Sequence, residues 1–176
     1  MVRANAEQRT ILEGMRSTVI NGMALMPFVH EGMLETLHEV QLGLLKKTAT
    51  QRHGVTRWER GTDGALTVKT VDLHPALLDP SWRDYATFVL YHEFLHALGW
   101  RAHDAEFRAL EASWPDVAGS QRGPSFTHAM RFSRASWLWK CPQCSKEFPR
   151  QRRGAGRYVC RTCRCVLVDV HLQDAQ

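Results

Sequence analysis

The sequence predicts an α+β protein with a second, smaller β module at its carboxyl end. Three observations indicate this: apolar residues recur at helical spacing early in the chain, two strand-like segments flank a turn at 61–64, and all five cysteines lie between Cys141 and Cys165. A chain of 176 residues, 44% of them hydrophobic, is long enough for one ordinary core and a small appendage. We expect a main domain over 1–115, a linker over 116–135, and a small module over 136–176.

The main domain begins with two predicted helices within residues 5–47, the second ending near Lys46 and Lys47, where positive charge suits a helix carboxyl end. A hairpin follows over 54–73, and a slip in its apolar alternation predicts a bulge. A longer helix is expected over 82–99, with Ser81 as its N-cap and Gly99 as its stop. These elements together predict a body of helices with a small sheet.

His92, Glu93 and His96 form an H-E-x-x-H motif on that longer helix. Side chains four residues apart lie on one face of a helix, with Cβ atoms about 5–6 Å apart, so both imidazoles can bind one zinc ion. Glu93 is rotated by about 100° and is placed to take a proton from a zinc-bound water as that water attacks a carbonyl carbon. The motif predicts a peptide-bond hydrolase with Glu93 as general base.

A catalytic zinc ion normally takes a third protein ligand, for which the sequence offers three candidates. His103 follows the stop at Gly99 and precedes Asp104, a predicted helix cap, so the chain can bring it back towards the metal. Glu106 and Glu111 on the next helix are the alternatives. The sequence favours His103.

The residues around this motif resemble the SprT-like metallopeptidases, the family that includes Spartan. The resemblance rests on HEFLHALGW at 92–100, on His103 followed by Phe107, and on VDLHPALL at 71–78, and it covers roughly 50–115. It implies a minimal zincin-like fold with a third histidine ligand. It also implies cleavage of proteins trapped on DNA, as in the repair of DNA–protein crosslinks, with DNA stimulating the activity.

Four cysteines have the C-x₂-C-x₁₅-C-x₂-C spacing that is typical of a zinc ribbon: Cys141, Cys144, Cys160 and Cys163. Four thiolates at this spacing can hold one structural zinc ion, and in so small a module metal binding would supply folding energy. Cys165 is left over and is an alternative to Cys163 as the fourth ligand. The sequence therefore predicts two zinc ions, one catalytic and one structural.

Charge is distributed unevenly along the chain. Residues 1–120 carry 12 Lys and Arg against 15 Asp and Glu, whereas residues 121–176 carry 11 against 3. Aromatic residues are interleaved with the basic ones over 131–164, namely Phe132, Trp137, Trp139, Phe148 and Tyr158. Cations that bind phosphates and rings that stack on bases are typical of single-strand binding, although Trp139 and Tyr158 are also expected in the module's own core. We expect the ribbon to bind DNA, single-stranded or distorted.

These features predict a metalloprotease whose protein substrates are bound to DNA. Two other functions stay open: a non-proteolytic zinc-ribbon protein that binds nucleic acid and is linked to transcription, and a metallopeptidase with no role for nucleic acid. The start of the chain, Met1–Glu7, lacks the apolar core of a signal peptide, and no segment approaches the ~18 apolar residues that span a bilayer. We expect no membrane partner and an intracellular location, in the cytoplasm or nucleoid.

Overall fold

The computed structural model describes residues 3–49 and 51–174, so the predicted outer limits at 1 and 176 lie outside the described residues. The chain divides into two compact units, Met1–Gly123 and Pro124–Gln176. The first combines helices with a three-stranded sheet, and the second contains another three-stranded sheet. The predicted α+β class is confirmed. No helix in the described part of the chain is long and apolar enough to cross a membrane.

The first unit opens with helices α1 (Ala6–Met23) and α2 (Glu31–Glu39). The second predicted helix is wrong beyond residue 39, because the chain continues into a strand, β1 (Leu42–Leu44), instead of reaching Lys46. Arg16 of α1 donates hydrogen bonds to the carbonyls of His38 and Val40 at the point where α2 ends. The residues that follow make backbone hydrogen bonds in the sheet instead of in a longer helix, because β1 pairs in parallel with the strand over 66–73.

The sheet of the first unit has the order β1-β3-β2, with β2 (Gly54–Arg60) and β3 (Leu66–Leu73) forming the predicted antiparallel hairpin. The register shifts between Arg57, which pairs with Thr70, and Trp58, which pairs with Val68. Lys69 is therefore the extra residue of a bulge, which confirms the slip read from the sequence. In the order β1-β3-β2, strand β2 lies at an edge of the sheet.

Helix α3 (Arg83–Ala97) is the central element of the first unit, and most of its residues are buried. Ser81 does not cap it as predicted, because Ser81 lies in a 3₁₀ turn (Pro80–Trp82) whose N-cap is Asp79. The chain leaves α3 at Gly99, which has a φ of +114°. It then forms α4 (Ala105–Glu111), capped by the side chain of Asp104.

The predicted linker over 116–135 contains the boundary between the two units, and most of it is helical, with helices α5 (Val117–Ser120) and α6 (Gly123–Phe132). Each of these two helices begins at a residue suited to a helix start. Asp116 accepts a hydrogen bond from the backbone of Gly119, and Pro124 lies in the first turn of α6, where its missing N–H costs nothing.

The second unit contains β4 (Trp137–Lys140), β5 (Glu147–Arg150) and β6 (Val168–His171), antiparallel in the order β5-β4-β6. Its buried cluster is small and half of it is sulfur-bearing: Trp139, Cys141, Cys160 and Leu167. The other cysteines pack against this cluster together with Phe148. The sheet brings the segment after β4 and the segment before β6 together.

Candidate metal centres

The first centre is formed by three histidines whose Nε2 atoms converge. His92 and His96 project from adjacent turns of α3, and His103 is brought back to them after the turn at Gly99. The Nε2–Nε2 distances are 3.2 Å between His92 and His96, 3.0 Å between His96 and His103, and 3.2 Å between His92 and His103. The three side chains together could hold one metal ion.

The opposite ring nitrogens of the two helical histidines are held by acceptors. His92 Nδ1 lies 2.6 Å from Glu111 Oε1, and His96 Nδ1 lies 2.6 Å from the carbonyl oxygen of Trp100. A carboxylate and a carbonyl can only accept, so each Nδ1 carries the hydrogen and each Nε2 keeps its lone pair for a metal. Burial lowers the pKa of both histidines, which further favours the neutral form that metals bind.

The two glutamates that compete with His103 in the sequence occupy other positions. Glu111 joins His92 to Arg108, whose Nη1 lies 2.6 Å from the second carboxylate oxygen. Glu106 accepts a hydrogen bond from the indole of Trp100 at 2.9 Å. Neither belongs to the group of converging donors. Both glutamates therefore bond to residues around the histidines, Glu111 to His92 and Glu106 to Trp100, and neither is a ligand candidate in this geometry.

Phe107 packs beneath all three histidines. Its ring centroid lies 5.0 Å from that of His92, 4.7 Å from that of His96 and 4.8 Å from that of His103. The phenylalanine side chain is fully buried. Phe107, three residues after Asp104, therefore provides one apolar surface that contacts all three imidazole rings.

Glu93 lies beside this centre and is almost fully buried, with 6% of its surface exposed. Thr56 Oγ1 of β2 lies 2.7 Å from Glu93 Oε2 and 2.9 Å from the Glu93 backbone oxygen. Burial raises the pKa of Glu93 to about 7, and the hydrogen bonds from Thr56 oppose that rise. A carboxyl group with such a pKa can both take and return a proton near neutral pH.

A cleft of about 610 Å³ opens over the histidines and Glu93. Residues of β2, α3 and the turn after α3 line it, including Trp58, Phe88, Val89 and Arg101. The guanidinium of Arg101 lies 5.1 Å from the ring centre of Trp58, so these two side chains form one wall. The centre is therefore accessible to a ligand larger than water.

The second centre consists of the four cysteines of the predicted ribbon. The Sγ atoms of Cys141, Cys144, Cys160 and Cys163 all lie within 4.8 Å of one another and could hold one metal ion. Cys165 lies close by, with its Sγ 3.3 Å from that of Cys141. The cluster thus brings together all the cysteines of the chain, with Cys165 next to the group of four.

The two cysteine pairs lie in turns with the same backbone pattern. The N–H of the first cysteine donates to the carbonyl five residues later, from Cys141 to Lys146 at 2.9 Å and from Cys160 to Cys165 at 2.8 Å. The residue after the second cysteine has a positive φ in both turns, 57° at Ser145 and 59° at Arg164. The turns present their cysteines in equivalent ways.

Backbone N–H groups in these turns stabilise thiolates. The N–H of Cys144 donates to Cys141 Sγ at 3.3 Å, and this interaction is the main cause that lowers the pKa of Cys141 to about 6. The backbone of Cys163 lowers the pKa of Cys160 in the same way. The pKa values of Cys163 and Cys165 are raised, chiefly because their thiols share hydrogen bonds with Cys144 and Cys141. A bound cation would lower the pKa values of these thiols and allow all of its cysteine ligands to be thiolates.

The aromatic residues of the second unit contact its own side chains. Trp139 stacks on Tyr158 with ring centroids 4.1 Å apart, and the guanidinium of Arg150 lies 4.8 Å from the Trp139 ring centre. Trp137 contacts His171 and has Arg153 5.1 Å from its ring centre. Of the pair expected in the core, Trp139 is buried, whereas Tyr158 is 46% exposed.

The sequence did not indicate that β2 contacts Glu93, or that the carbonyl oxygen of Trp100 accepts a hydrogen bond from His96. Thr56 contacts Glu93 across 37 residues of sequence, and no local pattern indicates such a contact. Gly54 is required by close packing, because a Cβ atom there would lie 2.7 Å from Glu93 Cγ and 2.8 Å from Glu93 Oε1. A glycine at the start of a predicted strand was the available signal for close approach to another element.

Comparisons of the chain with models of known families, with curated proteins and with solved structures find no match. The function of both centres is therefore inferred from their own geometry and chemistry.

Proposed function

We propose that this chain is a zinc-dependent metallopeptidase of the SprT-like type that cleaves proteins bound or crosslinked to DNA. The observation that carries the proposal is the convergence of the Nε2 atoms of His92, His96 and His103, at 3.0–3.2 Å, beside the buried carboxyl group of Glu93. On this proposal the first unit is a zincin-like catalytic domain and the second contains a zinc ribbon.

The donor atoms of both centres suit zinc. A tetrahedral zinc ion with Zn–N distances of about 2.0–2.1 Å needs nitrogen atoms about 3.3 Å apart, close to the distances between the three histidines. Zn–S distances of about 2.3 Å similarly need sulfur atoms about 3.8 Å apart, and Cys144 and Cys160 lie 3.7 Å apart. The three histidines would supply three ligands to a catalytic zinc ion, and the four cysteines would supply all four ligands to a structural one.

A zinc ion in the histidine centre would lower the pKa of a coordinated water to about 7 and polarise the carbonyl to be cleaved. Glu93 takes a proton from the attacking water and later delivers a proton to the leaving amine. The hydrogen bonds from Nδ1 of His92 and of His96 fix both rings in the orientation and tautomer that metal binding requires. The walls of the cleft hold the peptide against this centre.

The charge of the second unit supports DNA as the place of action. Five of its exposed cations lie close together in sequence, after β5 and in the second cysteine turn: Arg152, Arg153, Arg157, Arg161 and Arg164. Such a surface binds phosphates through charge and counterion release. Binding would concentrate the peptidase next to proteins on DNA, and a DNA-bound substrate implies an intracellular location.

Digestion of a DNA-binding protein, with and without single-stranded DNA, tests the proposal. We expect the zinc-loaded protein to cleave this substrate, faster when DNA is present, and Glu93→Gln to be inactive with unchanged zinc content because it loses the base and no ligand. Cleavage by Glu93→Gln at the wild-type rate would contradict the assignment of the base. Cleavage that is indifferent to DNA would favour a peptidase with no nucleic-acid role, and binding without cleavage would favour the non-proteolytic alternative.

A further inference from the structure

Strand β2 lies against the carboxyl group of Glu93, and the two carboxylate oxygens have different neighbours on it. Thr56 Oγ1 lies 2.7 Å from Oε2, and Gly54 lies so close to Oε1 that a Cβ atom there would be 2.8 Å from it. Oε1 has no hydrogen-bond partner among the residues that the structure describes, although the side chain is almost fully buried. The two oxygens of the carboxyl group are therefore inequivalent: one is held by the strand, and the other is left for a reacting group.

The Thr56 hydroxyl also joins Glu93 to its own backbone. The same Oγ1 atom lies 2.9 Å from the Glu93 carbonyl oxygen, so the single hydrogen of the hydroxyl is shared between two acceptors of one residue, the carbonyl oxygen and Oε2. A glutamate side chain has three rotatable bonds, and holding Oε2 against the backbone through one hydroxyl restricts all of them. Because general-base catalysis requires the base within hydrogen-bond distance of its proton, this restriction acts directly on the reaction.

We propose that Thr56 is a positioning residue that holds Glu93 by Oε2 and leaves Oε1 as the oxygen that takes the proton. The inference rests on the proposed peptidase function. In the step itself the proton of the attacking water passes to Oε1, the water oxygen bonds to the carbonyl carbon, and the π electron pair of the carbonyl moves to its oxygen. Thr56 neither gains nor loses a proton. Valine at position 56 would have the shape of threonine without the hydroxyl, and serine would keep the hydroxyl.

The chain offers a matched control for this substitution on the neighbouring strand. Thr70 of β3 is buried, and its Oγ1 has no hydrogen-bond partner among the described residues. Thr70→Val therefore makes the same chemical change in the same sheet without removing a contact to Glu93. Any effect of Thr56→Val that Thr70→Val does not share belongs to the hydroxyl of Thr56.

The test compares the kinetics of peptide cleavage in the zinc-loaded, full-length variants. We expect Thr56→Val to lower kcat by about 10- to 100-fold, a part of the 10²–10⁴-fold that a positioned base contributes, with KM within about twofold of wild type. Thr56→Ser should restore most of kcat, and Thr70→Val should leave both constants unchanged. Wild-type kcat in Thr56→Val, or a Thr56→Ser variant as slow as Thr56→Val, would overturn the proposal. Should Thr56→Val not fold, Thr56→Ala against Thr56→Ser makes the same comparison.

A second measurement does not depend on activity. In the metal-free protein, a double-mutant cycle of Thr56→Val with Glu93→Met measures the coupling of the two side chains in the unfolding equilibrium. We expect the coupling to change the unfolding constant by about 10-fold or more, as for a hydrogen bond to a charged group. Coupling within about twofold of unity would overturn the positioning role. Coupling with no peptide cleavage by wild type would instead show that the contact exists and that the proposed function is wrong.

Discussion

At the scale of single residues, hydrogen bonding shows whether Glu111 lies where a metal ligand would or serves as a hydrogen-bond partner of a histidine. Glu111 is a possible ligand by sequence position, yet its carboxylate lies 2.6 Å from His92 Nδ1, the nitrogen that faces away from the other histidines. The other oxygen is held by Arg108. A carboxylate fixed on both oxygens orients the imidazole and raises its basicity as a ligand.

We therefore expect Glu111→Ala to weaken zinc binding at the histidine centre by about 10- to 100-fold, the usual cost of losing such a partner. Glu111→Gln should weaken it less, because an amide oxygen still accepts from His92. Competition with a chromogenic chelator measures the affinity. The control is Glu106→Ala, which removes a glutamate that contacts the Trp100 indole instead of a histidine. Equal affinities in Glu111→Ala and wild type would show that His92 needs no such partner.

At the scale of elements, the contact between β2 and α3 decides the position of Glu93. Val89 and Glu93 of α3 both approach Gly54, and a Cβ atom there would lie 2.9 Å from Val89 Cγ1. Contacts this short force the strand and the helix apart or displace the carboxyl group. The glycine is thus a condition for the close packing that lets Thr56 reach Oε2.

Gly54→Ala should destabilise the protein by about 1–3 kcal/mol, the usual cost of overpacking, and lower peptidase activity more than stability alone explains. Thermal unfolding and a cleavage assay below the transition measure the two effects. The control is Gly14→Ala, in the middle of α1 with nothing within 4 Å of the added Cβ, which should stabilise by about 0.5–1 kcal/mol. A Gly54→Ala protein as stable and active as wild type would contradict the packing described here.

Local sequence patterns predicted those features of the elements that depend on neighbouring residues. The spacing of His92 and His96 defines a shared helix face, and the hairpin follows from alternation and a glycine-rich turn. Strand β1 could not be predicted, because its residues continue the apolar stripe of α2 and only pairing with β3 makes them extended. Thr56 escaped notice for a similar reason: its contact with Glu93 exists only in the assembled fold.

At the scale of the whole molecule, the two units differ in the apolar side chains that each buries in its own core. The first has an extensive apolar core that includes Leu12, Met15, Leu90, Tyr91 and Phe94. The buried cluster around the cysteines of the second unit has only four members, two of them proposed metal ligands. On the proposed assignment of the four cysteines to zinc, metal binding would supply part of the folding energy that so small a cluster lacks.

Removal of zinc should consequently unfold the second unit while the first keeps its helices. We expect two zinc ions per chain before chelation and none after it. Heteronuclear NMR should then show collapsed dispersion for residues of 137–171 and preserved dispersion for those of 6–97. Cys160→Ser should mimic the effect at the second unit alone and leave one zinc ion bound. Unchanged spectra of 137–171 in the metal-free protein would show that this unit folds without metal.

On the proposed function, the uneven charge predicts that the second unit carries the DNA-binding surface. If four to six arginines of the second unit neutralise phosphates, log K should fall with log salt at a slope of about −3 to −4 on a single strand. Changing the exposed Arg152, Arg157 and Arg161 to glutamine should flatten that slope by about 2. The matched control changes Lys46, Lys47 and Arg52 of the first unit to glutamine and should leave the slope unchanged. Fluorescence anisotropy measures both, and the reverse pattern would place the DNA surface on the first unit.

On the proposed function, a metal held by the three histidines and a proton acceptor at Glu93 together hydrolyse peptide bonds. The most direct measurement is the rate of cleavage of an unfolded protein substrate as zinc is added back to the metal-free protein, for wild type and Glu93→Gln in parallel. We expect no cleavage without zinc, full recovery in wild type by two equivalents, and none in Glu93→Gln although it binds the same amount of zinc. Cleavage by the metal-free protein, or recovery in Glu93→Gln equal to that of wild type, would contradict the claim.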